Sequence, residues 1–218
     1  MHKLILIPLF ALAVLQWSFT EVSKYEKAMK SSIEKVYMAK NIEEYQNAIN
    51  SFERIAQKET DKWEPLYYSA FGYVMISTRV EELGEKDKYL DLAKEKISEA
   101  SALAPGEDEI VALEGFVHMM RVAADPATRG QQYSGLAMQA LNKAVAMDGE
   151  NPRALYLLGQ MEFGTAQFFG SDTAMACEKL QKAVSLFQTQ QPESVIAPMW
   201  GARQAEAAAQ RCGAPAGE

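Results

Sequence analysis

One residue pattern recurs along this chain and dictates most of what it can become. A small residue is followed four places later by a large aliphatic one, and three places after that by another small one. The three copies are Ala93-Ile97-Ala100, Ala137-Leu141-Ala144 and Ala176-Leu180-Ala183. A looser copy, Ala48-Phe52-Ile55, precedes them, and the successive copies start 45, 44 and 39 residues apart. Spacings of three and four place side chains on one face of a helix. Small residues on that face let a second helix approach closely, and the large residue fills the space beside them. One such hairpin leaves an apolar face uncovered, so several must stack.

Glycines recur in the helices that precede or follow these copies, at Gly72, Gly115, Gly159 and Gly201. Ala, Leu, Met, Glu, Lys and Gln dominate, and strand-like alternation is scarce. The expected class is all-α. Helix-start signals agree in phase: Asn151 before Pro152, and Pro65 in "WEPLYY". Pro198 fits the first turn of a last helix, expected over about Ser194–Arg211, which would act as a polar cap on the stack.

These motifs resemble the tetratricopeptide (TPR) family. "LYLLGQ" with Leu158-Gly159, "YYSAFGYVM" with Tyr68 and Phe71-Gly72, and "AKEKISEASALAP" with Ala93, Ile97, Ala100 and Pro105 carry the likeness over roughly residues 25–211. The resemblance implies a TPR-like α-solenoid of about four helix hairpins plus a C-terminal capping helix. Against the family's repeat of about 34 residues the copies are stretched. The surplus falls between the two helices of each full hairpin, in "VEELGEKDK", "DPATRGQQY" and "GTAQFFGSD". These segments read as loops on one edge of the stack, with Gly164 ending a helix and Ser171 or Asp172 capping the next. "GTAQFFGSD" is not a phosphate loop, because no strand precedes it and no Gly-Lys-Ser/Thr follows. Phe168 and Phe169 either tuck under their loop, the expected arrangement, or stay exposed as an edge site.

The resemblance also implies a concave groove lined from the first helix of each hairpin. Carried over, it assigns Tyr73 and Ile76, Phe116 and Met119, and Tyr156, Gln160 and Phe163, with Arg153 and Glu109 at the entrance. That row is aromatic and apolar. It lacks the Lys/Asn set with which chaperone-type members clamp a peptide carboxylate. An apolar groove marks a partner or ligand, unless the N-terminal helix over residues 22–40 or a neighbouring subunit fills it.

The chain begins like an export signal. His2 and Lys3 precede the apolar run Leu4–Leu15, which is short of the roughly 20 residues that span a membrane. The expected organisation is a signal peptide over 1–20, one helical repeat domain over 21–212 and a flexible tail over 213–218, in a periplasmic or secreted protein. Cys177 and Cys212 are the only cysteines. In an oxidising compartment they are expected to form a disulfide that locks the cap, because antiparallel helices bring their positions to one end of the stack.

A formal charge of -7 with mixed signs disfavours nucleic acid as a partner. No catalytic constellation is visible. Glu114 and His118 share a helical face, but a packed histidine is the expected reading, and no metal or cofactor site is assigned. The leading expectation is a non-enzymatic scaffold that holds a protein or peptide partner in the cell envelope through its aromatic groove. The alternative is a small-molecule or lipid binder resembling the TPR-like proteins that accompany TRAP-type transporters. An enzyme centred on His118 ranks last. The oligomeric state is left open.

Overall fold

The computed structural model describes residues 23–213. The export-signal reading of residues 1–20 and most of the tail lie outside the described residues.

Among the described residues there are nine α-helices and no strand. They are α1 (Lys24–Met38), α2 (Ile42–Ala56), α3 (Glu64–Ser77), α4 (Leu83–Leu103), α5 (Asp108–Ala124), α6 (Pro126–Met147), α7 (Pro152–Phe169), α8 (Ala174–Thr189) and α9 (Ala202–Gln210). Successive pairs pack as hairpins: α1 with α2, α3 with α4, α5 with α6 and α7 with α8, while α9 lies on α8. This is the all-α, hairpin-stacked architecture expected from the repeat.

Local chemistry sets the helix starts. Ser23 and Glu26 form a reciprocal capping box on α1. Asn41 caps α2 through the Glu44 amide. Asp125 and Asn151 cap α6 and α7, each followed by a proline at the first helical position.

The small–large–small faces do what their spacing requires. Ala93, Ala137, Leu141, Ala144, Leu180 and Ala183 are fully buried. A Cβ added to Gly115 would lie 2.6 Å from Leu141, and one added to Gly159 would lie 3.0 Å from Leu180. Each glycine therefore receives the large residue of its own hairpin partner. Gly72 instead faces Ile49 of the preceding hairpin, at 2.6 Å. Helix α3 is apolar on every side, and twelve of its residues are buried. It packs against α1, α2, α4 and α5, because a helix without a polar face must be enclosed.

Two sequence expectations fail. The three stretched segments are not loops. Residues 83–88 belong to α4, 126–133 to α6 and 164–169 to α7. They are rich in Glu, Lys, Gln and Ala, and the surplus length lengthens helices by a turn or more. Gly164 sits inside α7, which ends instead at Gly170 in the left-handed conformation. The last helix is also shorter than expected. It begins at Ala202, and the residues from Gln190 to Gly201 are irregular. Gly201 has φ of 106°, so it is a chain-reversing N-cap and not a helical packing glycine.

Candidate functional site

The irregular segment 190–201 is a strap that crosses the first helix of all four hairpins. The Met199 amide donates to the Tyr37 hydroxyl of α1 at 3.0 Å. The Tyr68 hydroxyl of α3 donates to the Ile196 carbonyl at 2.8 Å. Trp200 stacks on Phe71 of α3 and on Phe116 of α5, with centroids at 5.3 and 5.6 Å and interplanar angles of 27° and 21°. Gly201 then passes Arg153 of α7, where an added Cβ would meet Phe187 at 3.0 Å and the Arg153 side chain at 3.5 Å.

Each of the two Trp200 stacking contacts contributes about 0.5–1.5 kcal/mol beyond its buried area. Phe71 is buried, whereas Trp200 and Phe116 are half-buried. The indole N–H of Trp200 donates to the Tyr67 hydroxyl at 2.8 Å. Tyr67 in turn donates to Glu109 at 3.3 Å. Glu109 accepts from Arg153 Nε and Nη2 at 2.5–2.8 Å and from the Asn151 amide at 2.8 Å. The strap is thus wired to a buried ion pair. Burial opposes the Arg153 charge, yet the Glu109 hydrogen bond and charge outweigh it and hold the guanidinium above its ordinary range. Burial and then the Glu109 charge push the Tyr67 hydroxyl well above its usual value.

Most of the residues assigned to a groove are not free to bind. Tyr73, Ile76, Met119, Arg153, Tyr156 and Phe163 are all buried, and only Phe116 and Gln160 are half-buried. Tyr73 donates to Glu53 of α2 and stacks on Tyr89 of α4, so it faces the second helices of the preceding hairpin and of its own. Burial and Glu53 push it up to about 12. Burial pushes Tyr156 up to about 12 as well. The strap covers Phe71 and Phe116 through Trp200, and Tyr37 of the N-terminal helix meets Phe71 edge to face at 6.0 Å. At the far end, Arg211 lies over the Phe163 ring at 5.6 Å.

Between the strap and the starts of α5 and α7 lies a cavity of about 520 Å³. Trp63, Phe187 and Met199 contribute apolar walls, but Glu64, Glu107, Asp108, Asp148 and Glu193 make it acidic. Burial and the neighbouring Asp108 push Glu107 up to about 7. This cavity is unsuited to an anionic ligand.

Phe168 and Phe169 are not tucked under a loop. They are 84% and 72% exposed on the last turn of α7, edge to face at 5.0 Å. That turn is helical, and the short connection over residues 170–173 does not cover them. Met175, at the start of α8, is 72% exposed beyond the same turn. His118 is buried, its ring stacked on Tyr133 at 5.9 Å and its Nε2 4.0 Å from Glu114. Burial holds it below its usual pKa, so it rests as a neutral packed imidazole. Among the described residues no cluster of His, Cys, Asp and Glu could hold a metal ion.

Cys177 and Cys212 are bonded, with Cα atoms 5.7 Å apart. The bridge ties the start of α8 to the end of α9, so the strap lies inside a covalently closed loop. Sequence reasoning missed the strap and its anchors Tyr37, Tyr67, Tyr68 and Trp200. The available signal was "QQPESVIAP", two prolines in a stretch with no helical periodicity.

No family model and no curated protein matches this chain. A solved structure of MamA residues 41 to the end from Desulfovibrio magneticus RS-1 is 18% identical over 78% of this chain and 99% of that one, at a TM-score of 0.34, which supports no structural argument. The HusA haemophore from Porphyromonas gingivalis is 26% identical, across 91% of this chain and 97% of that chain, at a TM-score of 0.79. The chain therefore shares its helical architecture, nearly end to end, with a haemophore.

Proposed function

We propose that this chain is an exported binding protein that captures a flat tetrapyrrole of the haem class. The observation that carries the reading is the likeness to a haemophore over almost the full length of both chains. The disulfide fits an oxidising compartment outside the cytoplasm. The stacked aromatic rings on the α3–α5 face supply the surface that a planar macrocycle needs.

Recognition would rest on stacking. His118, the one imidazole among the described residues, is buried under Tyr133 and away from the strap's aromatic rings. Metal-free protoporphyrin should therefore bind about as well as haemin. Titration of both, followed by absorbance, tests the reading: saturation at one ligand per chain is expected, and failure of both to saturate would overturn it.

The sequence-based expectation of a protein partner keeps one specific support, the exposed Phe168–Phe169 pair. In this second reading the α7–α8 edge docks a protein that receives or delivers the ligand. If a partner recovered by cross-linking is captured equally well by a chain carrying Phe168→Ser and Phe169→Ser, that edge is not its dock.

A further inference from the structure

We infer that the Phe71–Phe116 slot is the planar-ligand site, and that Trp200 occupies it as the chain's own stand-in. This rests on the tetrapyrrole reading above for the identity of the natural ligand, but the slot itself is argued from geometry.

Three features separate this stack from ordinary core packing. First, Trp200 comes from an irregular segment, not from a packed helix. Second, both Trp200 and Phe116 remain half-buried, so the slot reaches the surface. Third, apart from the buried Ile196 side chain and the Trp200 ring contacts, the strap is held by a few directional contacts. These are the hydrogen bonds at Tyr37, Tyr67 and Tyr68. Residues 190–195 of the strap are all exposed. A segment held this way can lift while the helices beneath it stay in place. The indole leaves behind a space against two aromatic rings, Phe71 and Phe116, each within 30° of its plane, which suits a flat macrocycle. The neighbouring acidic cavity repels anionic carboxylates. Arg211, over the Phe163 ring of α7, forms no ion pair with a carboxylate among the described residues and would supply the counter-charge for those of the ligand. Binding is therefore an exchange: the ligand ring enters, the indole leaves and the strap lifts as a loop.

The test uses the full chain and Trp200→Ala. Removing the internal competitor should tighten haemin binding about tenfold or more, because the binding-competent fraction rises. Indole at millimolar concentration should raise the melting temperature of Trp200→Ala and not that of the wild type. In the wild type, bound haemin should accelerate amide exchange across residues 190–200. If haemin binds both chains equally and leaves strap exchange unchanged, the slot assignment falls while the tetrapyrrole reading stands. If haemin binds neither chain, the tetrapyrrole reading falls and indole decides the slot: stabilisation of Trp200→Ala sustains it, and no stabilisation overturns it. Should Trp200→Ala fail to fold, Tyr68→Phe takes its place. It removes one strap anchor and should speed haemin association, and an unchanged rate would count against strap lifting.

Discussion

Arg153 and Glu109 stand 44 positions apart on α7 and α5, yet they meet as a buried, multiply hydrogen-bonded ion pair. Side-chain exposures of 7% and 9% leave neither charge an alternative partner in water. Removing one member strands the other, which costs about 3–5 kcal/mol. Arg153→Ala and Glu109→Ala should each show that loss in chemical denaturation. The double replacement should cost less than the sum of the two, because it leaves no orphaned charge.

Two glycines give opposite predictions. At Gly115 an added methyl would lie 2.6 Å from Leu141, so Gly115→Ala should destabilise by about 1–3 kcal/mol through overpacking. At Gly164, an exposed position inside α7, nothing lies within 4 Å of the added methyl. Gly164→Ala should therefore stabilise by roughly 0.5–1 kcal/mol through helix propensity. Thermal melts of the two variants should move in opposite directions.

The Cys177–Cys212 bridge closes a loop with a sequence separation of 35. Its removal by Cys212→Ser should cost about 2–4 kcal/mol. Amide exchange should rise first in α9 and the strap, with α1–α6 unaffected. A uniform rise across all helices would contradict a local role.

Glu107 gives a pH signature. Its carboxyl is pushed up to about 7 by burial and by Asp108, Glu109 and Glu193. A carboxyl raised in the folded state favours folding when protonated. Its stabilising contribution is full below its unfolded value and is lost as pH rises from about 4.5 to about 7. Glu107→Gln should melt higher than the wild type at pH 8, and that advantage should shrink towards pH 4.5. Melts across this range, with the difference between the two chains plotted, check the sign.

The fold was legible because the small–large–small faces encode hairpin packing directly, and Gly115 and Gly159 receive Leu141 and Leu180 as the spacing implies. Helix lengths were less legible. A family repeat length turned residues 83–88 and 126–133 into insertions, although their composition favours helix and Asp125-Pro126 is a strong helix start. The strap was hidden by a coincidence. Gly201 keeps the spacing of the earlier glycines, and Pro198 fits a first helical turn, so the segment looked like one more helix. Most of the assigned groove residues are instead buried; burial depends on what folds over them, and no local pattern encodes that. Phe116 was named, whereas its neighbour in the stack, Trp200, lies 84 positions away and shares no local pattern with it.

The closed loop around the strap also changes what a protease can do to this protein. Residues 191–195 are exposed and lack helical hydrogen bonding, which makes them the natural place for a nick. A single cut there severs the backbone but not the molecule, since Cys177 and Cys212 keep the two pieces joined. The nicked protein would migrate as one species until reduced. Its Trp200 segment would have a free end and could swing clear of the face, so one cleavage would turn a tethered strap into a loose flap.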